Sequence, residues 1–241
     1  MGAGSAWNQL QARTVLHEKN QTAQLVAKQI EFGGPISISE YMRIANKAYY
    51  DKADPLGKEG DFITAPEVSQ MFGELTGLWL VDIWLRAGSP ANCHFVELGP
   101  GRGTLAADCL AAMEKFGFAP VIHLIEQSET LRAKQAAILP KAKTYDRIED
   151  LPDDGPLLIV ANEFFDALPI RQFISTHAGW RERVLARDKG SKFLPMPGSQ
   201  PMDHIVPADL RNAPNHSIFE TCPEASNIMY ELASRLNHQG G

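Results

Sequence analysis

The most constraining feature of this 241-residue chain is a short apolar stretch followed by three alternating glycines. Residues 94–98 read His-Phe-Val-Glu-Leu, which predicts a buried strand. The chain continues as Gly99-Pro100-Gly101-Arg102-Gly103-Thr104-Leu105, which predicts a sharp turn and the start of a helix. Glycine permits positive φ angles and lets a ligand lie directly against the main chain. The segment therefore predicts a cofactor-binding turn between a strand and a helix.

The spacing of these glycines differs from the dinucleotide fingerprint G-x-G-x-x-G. That fingerprint would place its third glycine at position 104, where this chain has Thr104. In addition, Glu97 comes two residues before the first glycine. A carboxylate suits a ligand with an ammonium group and a sulfonium, but it repels a pyrophosphate. The pattern acid-x-Gly-x-Gly-x-Gly is typical of S-adenosylmethionine (SAM) enzymes, and it disfavours an NAD-dependent oxidoreductase.

We expect Glu97 to meet the ammonium of SAM, directly or through water, while main-chain N–H groups of the turn bind its carboxylate. The residues of this turn that are predicted to bind SAM are Glu97, Gly99, Pro100, Gly101, Gly103 and Thr104. The alternative interpretation is a tight strand-to-helix turn whose acid is simply solvated.

A second predicted strand, residues 119–126, also ends in an acid, and Ser128 is predicted to cap a helix that runs through Ile138. In a βαβ unit, the acid that closes the second strand accepts hydrogen bonds from the two ribose hydroxyls of a nucleoside. We therefore predict that Glu126 binds the ribose of SAM.

A short third strand is predicted at residues 143–146. It would bring Asp146 or Arg147 to the adenine edge of the cofactor, and Asp146 is counted among the predicted SAM-binding residues. Ordinary surface charge is the alternative interpretation of both side chains.

A fourth strand is predicted at residues 157–161, the least polar segment of the chain, and is expected to be central and buried on both faces. It leads into Asn162-Glu163-Phe164-Phe165-Asp166-Ala167-Leu168-Pro169. In open α/β sheets, ligands lie beyond the carboxyl ends of the strands. We therefore predict that Glu163, Asp166 and Asn162 form the catalytic site. The alternative is a helix start that Asn162 caps.

Four motifs in this order resemble those of the MidA family of SAM-dependent methyltransferases. They are Gly60-Asp61-Phe62-Ile63-Thr64-Ala65-Pro66-Glu67-Val68-Ser69-Gln70-Met71-Phe72-Gly73-Glu74, the glycine segment from Glu97 to Leu105, the segment from Glu163 to Pro169, and Gly179-Trp180-Arg181-Glu182. The resemblance covers residues 34–241. It implies a Rossmann-like class I methyltransferase core, SAM as the cofactor and a protein arginine as the substrate. The mitochondrial family member assists complex I assembly and methylates the 49-kDa-type subunit of respiratory complex I.

The resemblance also implies that Glu163 and Asp166 are the family's signature acids and that the loop from Gly60 to Glu67 closes over the pocket. Family members usually continue into a further strand with an Asp-Tyr-Gly motif, whereas this sequence ends at Gly241. We therefore expect an α/β sheet that is incomplete towards the C-terminus. A SAM-binding assembly factor or chaperone that transfers no methyl group is the alternative function.

The net charge, the apolar content and the cysteine spacing limit the kinds of molecule that this chain is predicted to bind. The formal net charge of −6 disfavours a nucleic acid and favours a cationic protein segment. No stretch approaches the roughly 18 apolar residues of a membrane span, so no membrane insertion is predicted. The three cysteines, Cys93, Cys109 and Cys222, are far apart, which predicts neither a disulfide framework nor a metal site. We expect a cytoplasmic location in a bacterium, or the mitochondrial matrix in a eukaryote.

The predicted organisation is an N-terminal helical extension with a lid loop, residues 1–88, followed by a Rossmann-like core with an inserted hairpin, residues 89–241. The loop at residues 54–61 is rich in turn-forming residues, which suits a lid, and a plain connector is the alternative interpretation. The sequence leaves the oligomeric state undetermined.

Further elements follow from periodicity and capping signals. Three helices are predicted, one with Leu10, Leu16 and Val26, one from Ser37-x-x-Glu40 towards Tyr50, and one from Thr64-x-x-Glu67 with Phe72, Leu75, Trp79 and Ile83 packed in the core. The C-terminal part predicts a hairpin of residues 172–176 and 180–185, an irregular stretch at residues 194–207, and a last helix capped by Thr221.

Overall fold

The computed structural model describes residues 21–50, 64–188 and 192–241. These residues form two compact units, each assembled from segments that are distant in sequence. Unit 1 contains the described residues of 1–48 and 168–223, and unit 2 contains those of 49–167 and 224–241. The division into an N-terminal extension and a core at residue 88 stays a prediction.

The described residues contain nine strands and seven α-helices. The strands are β1 (Ile36–Ser37), β2 (His94–Leu98), β3 (Val121–Ile125), β4 (Lys143–Tyr145), β5 (Leu157–Val160), β6 (Arg171–Thr176), β7 (Gly179–Arg187), β8 (Phe193–Pro201) and β9 (Ile218–Thr221). The helices are α1 (residues 21–33), α2 (Ile38–Tyr50), α3 (Ala65–Val68), α4 (Gln70–Arg86), α5 (Thr104–Glu114), α6 (Glu129–Ile138) and α7 (Pro223–Gln239). Single 3₁₀ turns lie at Ile148–Asp150, Phe165–Ala167 and Ala208–Leu210.

Unit 2 is built on a parallel sheet with the strand order β4-β3-β2-β5. All four strands lie where the apolar runs predict them, and α6 begins after Ser128, whose Oγ accepts a hydrogen bond from the Leu131 N–H. Parallel strands joined by helices form a βαβ arrangement, which confirms the predicted α/β fold class.

Both faces of this sheet are covered by apolar side chains. On one face, Phe95 of β2 and Leu124 of β3 pack with Leu80 of α4 and Met113 of α5. On the other face, residues of β2 and β5 pack with Leu232 of α7 and other apolar side chains. Burial on both faces explains why the strands are nearly continuous apolar runs and do not alternate with polar residues.

The prediction that the fourth strand is central is wrong for the described residues. β5 lies at the edge of the sheet beside β2, and β2 is the strand that is buried along its whole length. Leu157 and Leu158 are nevertheless buried, because apolar clusters cover both faces of the sheet at this edge. The Leu157 N–H also donates to the Gly240 carbonyl at 3.0 Å. The low polarity of a strand therefore indicates that the strand is buried and does not indicate that it is central in the sheet.

The predicted third helix is two helices that are separated by Ser69. Ser69 is extended, with φ of −152°, and its Oγ accepts a hydrogen bond from the Met71 N–H at 3.3 Å. It thus ends α3 and caps α4. Thr64, the predicted cap, precedes α3 without a side-chain capping hydrogen bond.

Of the four residues predicted to form the core-facing stripe of this helix, only Ile83 packs against the core. Phe72, Leu75 and Trp79 are exposed, while the buried face of α4 consists of Gly73, Gly77, Leu80 and Val81. A Cβ atom at Gly77 would lie 2.5 Å from the Cys109 carbonyl oxygen. The two glycines therefore let α4 and α5 approach closely, which large side chains on this face would prevent.

A chain of polar side chains crosses β2, β3 and β4 of unit 2. His94 Nδ1 lies 2.9 Å from His123 Nε2, and His123 Nδ1 lies 3.2 Å from the Tyr145 hydroxyl. His94 Nε2 contacts Asp154 Oδ1 at 3.0 Å without hydrogen-bond geometry. Burial and the neighbouring His94 lower the pKa of His123 to about 4. This chain of side chains begins at His94, the first residue of β2, and ends at Tyr145, the last residue of β4.

Unit 1 is a five-stranded antiparallel sheet in which β7 pairs with β6, β1 and β8, and β6 pairs with β9. β6 and β7 form the predicted hairpin. The predicted capping box of α2 is present in part, since the Glu40 N–H donates to Ser37 Oγ at 3.1 Å. Trp180 of the fourth family motif is buried, and its indole N–H donates to the Arg211 carbonyl at 3.0 Å.

The prediction that residues 194–207 are irregular is wrong for the first eight of them, which belong to β8. Prolines 195, 197 and 201 suggested an irregular stretch because proline cannot donate to a sheet ladder. β8 pairs only with β7 among the described strands, and an edge strand tolerates proline on its open side. Downstream, Thr221 belongs to β9, and α7 begins at Pro223.

Several predictions fall outside the described residues. They are the lid loop at residues 54–61, most of the Gly60–Glu67 segment, and Leu10 and Leu16 of the first helix. Val26, the third residue predicted for that helix, lies on α1 and is buried. Across the described part of the chain, no helix combines the length and the apolar character that crossing a bilayer requires.

Candidate active site

The glycine turn connects β2 to α5 as the sequence predicts. Gly99, Gly101 and Gly103 have φ angles of +62°, +55° and +87°, in the left-handed region that favours glycine. The Gly99 N–H donates to the Ile125 carbonyl at 3.0 Å, and the Gly103 N–H donates to the Pro100 carbonyl at 2.8 Å. The turn is therefore fixed both to the end of β3 and within itself.

Phe164 brings the predicted catalytic segment against this turn. A Cβ atom built at Gly99 would lie 2.7 Å from Phe164 Cδ2, so that only glycine fits beneath the ring. Phe164 follows β5, which pairs directly with β2. Two motifs that are more than 60 residues apart thus meet at the carboxyl ends of neighbouring strands.

Glu97 lies beneath the first turn of α5 and not on the surface. Its side chain is 3% exposed and accepts a hydrogen bond from the main chain of Ala106, while its Oε2 has no partner among the described residues. Burial raises the pKa of Glu97 to about 8. Gly103 at the N-cap offers no side chain, so Glu97 supplies a capping acceptor from a distance. A buried acid with an unpartnered oxygen is the kind of group that a cation can stabilise.

Two further side chains of the turn contact Glu67 of α3. Thr104 Oγ1 donates to Glu67 Oε1 at 2.7 Å, and Arg102 Nη1 lies 3.6 Å from Glu67 Oε2. The Arg102 guanidinium therefore points to α3. Sequence reasoning placed Glu67 only in a capping signal and a lid motif, and no local pattern indicates that it contacts Thr104, 37 positions away.

Glu126 lies directly after β3 and is held by its neighbours. Its Oε1 accepts a hydrogen bond from the Ser128 N–H at 2.8 Å, and its carbonyl oxygen accepts from Arg132 Nε at 2.7 Å. Burial raises the pKa of Glu126, although main-chain N–H donors and Arg132 oppose this effect. It lies after the second strand of a βαβ unit, and its contact with a ribose stays a prediction.

Gln135 of α6 connects the two predicted cofactor elements, and sequence reasoning missed it. Its Nε2 donates to the Gly101 carbonyl at 2.8 Å and lies 3.4 Å from Glu126 Oε2. The residue is 1% exposed. The available signal was its spacing of four residues from the buried Leu131, which places both on the inner face of the helix.

Asp146 lies one residue beyond β4 and forms an ion pair with Arg132, which also contacts the Glu126 carbonyl. Arg147 pairs with the exposed Glu149 at 3.1 Å. Asp146 is thus connected to the predicted ribose acid through one guanidinium. A contact with adenine stays a prediction for both residues.

Asn162, Glu163 and Asp166 follow β5, and the described residues contain no α-helix that begins there. Only the 3₁₀ turn Phe165–Ala167 forms, which disfavours the interpretation of this segment as a capped helix start. Glu163 has φ of +49°, an unfavourable backbone conformation for a residue with a side chain. Glu163 and Asp166 are both exposed. Strain at a non-glycine residue often marks a functional position.

These features together can hold a nucleoside with a cationic amino-acid tail. The start of α5, like any helix N-terminus, has main-chain N–H groups without intrahelical acceptors. Glu126 lies after the next strand, and Glu97 keeps a buried oxygen without a partner among the described residues beneath the turn. The segment with Glu163 and Asp166 adjoins the turn through Phe164.

Comparison with known proteins agrees with this geometry. The family described as "Putative S-adenosyl-L-methionine-dependent methyltransferase" matches residues 75–241. "Protein arginine methyltransferase NDUFAF7, mitochondrial" from Mus musculus is 36% identical in a match that covers 93% of this chain and 59% of that protein. The protein of the same name from Homo sapiens is 35% identical in a match that covers 88% of this chain and 55% of that protein. This chain therefore spans less than two thirds of the length of these relatives.

Two crystal structures from Burkholderia thailandensis have the same fold. One, bound to S-adenosyl-homocysteine, has a TM-score of 0.70 and 24% identity, and the match covers 90% of this chain and 60% of that one. The other is a native structure with a TM-score of 0.67 and 25% identity, covering 90% and 58%. The fold likeness and the family match confirm the predicted class I methyltransferase fold. The chain belongs to the family of S-adenosyl-L-methionine-dependent methyltransferases, the MidA family that its motifs predict.

Proposed function

We propose that this protein transfers the methyl group of SAM to an arginine side chain of a protein. The observation that carries the proposal is the contact of Phe164 with Gly99, because it places the acid-flanked glycine turn beside the segment that contains Glu163 and Asp166. The relatives named protein arginine methyltransferase support the choice of arginine.

The described residues fit SAM in three respects. Glu126 would accept hydrogen bonds from the ribose hydroxyls, and the main-chain N–H groups of the turn would bind the methionine carboxylate. Glu97, whose Oε2 is buried without a partner among the described residues, would face the ammonium directly or through water. An ammonium near Glu97 would lower the pKa of that carboxyl from about 8 and favour its ionised form.

When bound, SAM supplies an electrophilic methyl group on a sulfonium centre. The protein supplies alignment, since displacement at this carbon requires an acceptor nitrogen in line with the bond that breaks. An arginine guanidinium has a pKa above about 12 and cannot be deprotonated beforehand at neutral pH. The task of the acceptor site is therefore to fix the guanidinium and to stabilise its charge.

Glu163 and Asp166 suit this task. Two carboxylates can accept the parallel N–H groups of a guanidinium, which orients its plane and stabilises the positive charge as the new N–C bond forms. The product loses one N–H proton, which an exposed carboxylate can pass to water. Asn162 would add a neutral hydrogen-bonding group beside them.

We further propose that the acceptor belongs to a subunit of the respiratory complex I type, as implied by the resemblance to the mitochondrial family member. The location would then be the cytoplasm of a bacterium or the mitochondrial matrix of a eukaryote. The net charge of −6 suits a cationic protein segment.

The test is incubation with methyl-labelled SAM and a lysate from cells that lack this gene, with mass spectrometry to locate the label. Label on an arginine of one protein supports the proposal, and Glu163→Gln is expected to reduce the incorporation about 10²–10³-fold. Unchanged incorporation by this variant would remove Glu163 from the mechanism. Binding of SAM without transfer to any protein would overturn the enzymatic proposal in favour of a SAM-binding assembly factor.

A further inference from the structure

Gln135 is a buried side chain with polar contacts on two sides. Its Nε2 donates to the Gly101 carbonyl of the glycine turn at 2.8 Å and lies 3.4 Å from Oε2 of Glu126. A glutamine amide has two N–H bonds, so one can serve each acceptor. The residue therefore connects the turn after the first strand to the acid after the second.

This contact leaves the Glu126 carboxylate with a defined orientation. One oxygen accepts from the Ser128 N–H at 2.8 Å, and the other faces Gln135. Each carboxylate oxygen has a further lone pair, which stays available for a hydroxyl donor. Burial raises the pKa of Glu126, and the hydrogen bond from Gln135 is among the contacts that oppose this shift. Gln135 thus favours a carboxylate that is ionised and fixed, as an acceptor of ribose hydroxyls must be.

Packing alone does not account for a glutamine at this position. Its Oε1 is buried and has no hydrogen-bond partner among the described residues, which is an unfavourable state for a polar atom. Methionine would fill a similar volume without a buried acceptor. The buried Oε1 therefore destabilises the folded state, and the N–H contacts of the amide with Gly101 and Glu126 must offset this loss.

We infer that Gln135 is a positioning residue for the ribose of the cofactor, acting through Glu126 and not through the reacting atoms. The inference rests on the proposed function, since it concerns the same SAM site. It assigns to Gln135 a part of the selectivity for a ribose with free hydroxyls.

Calorimetric titration with two probes tests this role. The probes are S-adenosyl-homocysteine and its 2′,3′-dideoxy analogue, which lacks the hydroxyls that Glu126 would bind. In Gln135→Met, affinity for S-adenosyl-homocysteine is expected to fall about tenfold, while affinity for the analogue changes less than about twofold. The matched control is Gln70→Met, because Gln70 is exposed on α4 and contacts neither element.

A second variant keeps the size of the side chain and changes its charge. Gln135→Glu places a carboxyl against Glu126 and the Gly101 carbonyl, where only its protonated form can donate a hydrogen bond. Its affinity for S-adenosyl-homocysteine is therefore expected to rise as the pH falls from 7 to 5, unlike that of the Gln70→Met control. This change of affinity with pH depends on protonation of the introduced carboxyl and not on how the side chain packs.

The outcomes separate the two claims. Equal losses for both probes in Gln135→Met, or a Gln135→Glu variant without the additional pH dependence, would overturn the positioning role. A folded wild-type chain that binds neither probe would instead overturn the proposed SAM site. Selective loss of the hydroxyl-dependent part of the affinity supports the inference.

Discussion

Phe164 Cδ2 lies 2.7 Å from the position that a Cβ atom would occupy at Gly99. Gly99 also has φ of +62°, so both its backbone conformation and its surroundings require glycine. Because Phe164 and Gly99 follow neighbouring strands, this contact keeps the glycine turn and the predicted catalytic segment in one arrangement. Even a methyl group at position 99 should therefore disturb both segments.

Gly99→Ala should displace the Phe164 ring and distort the turn. We expect SAM affinity, measured by calorimetry, to fall at least about tenfold, and the free energy of unfolding to fall by about 1–3 kcal/mol. Gly117→Ala is the matched control, because Gly117 has φ of +71° but no described atom lies within 4 Å of where its Cβ would be. It should share the backbone strain and keep SAM affinity. Similar SAM binding by the two variants would contradict the importance of the contact.

Glu163 has a left-handed backbone conformation, with φ of +49°. Glu163→Gly should therefore stabilise the fold by about 1 kcal/mol while it reduces methyl incorporation about 10²–10³-fold. Ser89→Gly relieves a similar strain, at φ of +55°, in an exposed turn and should leave methyl incorporation unchanged. Thermal unfolding and the labelled-SAM assay measure the two effects. A Glu163→Gly variant that is stabilised and fully active would exclude a catalytic role.

Much of the framework around this site could be predicted from local sequence. The strand β2, the glycine turn and the cap at Ser128 each depend on short apolar runs, glycine spacing or a hydroxyl before a helix. The contacts that organise the site depend on residues far apart in the chain, such as Phe164 with Gly99 or Thr104 with Glu67. No periodicity or local motif contains that information.

The wrong prediction of which side chains of α4 face the core has a related physical reason. Hydrophobicity identified Phe72, Leu75 and Trp79 as a core stripe, but the face that packs on α5 consists largely of Gly73 and Gly77. Close packing of two helices depends on small side chains, which score low on any scale of hydrophobicity. Phe72, Leu75 and Trp79 consequently lie on the outer face of α4, whereas Leu80 and Val81 are buried beside the glycines.

Because Glu97 is buried with a raised pKa, we predict that the free energy of unfolding falls as the pH rises. Its pKa is about 8 in the folded state and near 4.5 when unfolded, so between these values the folded state retains a proton that the unfolded state releases. From pH 6.5 to 8, the free energy of unfolding should fall by up to about 1.4 kcal/mol per pH unit. Glu97→Gln should reduce this slope, whereas Glu114→Gln, which changes an exposed acid, should not. Denaturant titrations at several pH values measure it, and equal slopes in all three proteins would refute the assignment.

For His123 we predict the opposite effect, a free energy of unfolding that falls as the pH decreases below 6.5. Its pKa is about 4 in the folded state, below the ordinary value of 6.5, so the unfolded state binds more protons between these values. The stability that neutral His123 provides is present above pH 6.5 and is lost as the pH falls towards 4. His123→Gln should weaken this acid dependence, while replacement of the exposed His204 by glutamine should preserve it. Urea unfolding from pH 4 to 6.5 gives the comparison, and an unchanged slope in His123→Gln would show that other groups are responsible.

The central claim is that SAM binds at the glycine turn with its ribose on Glu126. Equilibrium dialysis of methyl-labelled SAM against the wild-type chain and Glu126→Ala tests it most directly, with circular dichroism to show that both proteins are folded. The account predicts saturable binding at one site per chain, weakened at least about tenfold by Glu126→Ala. Equal binding by the two folded proteins, or no saturable binding by the wild type, would contradict it.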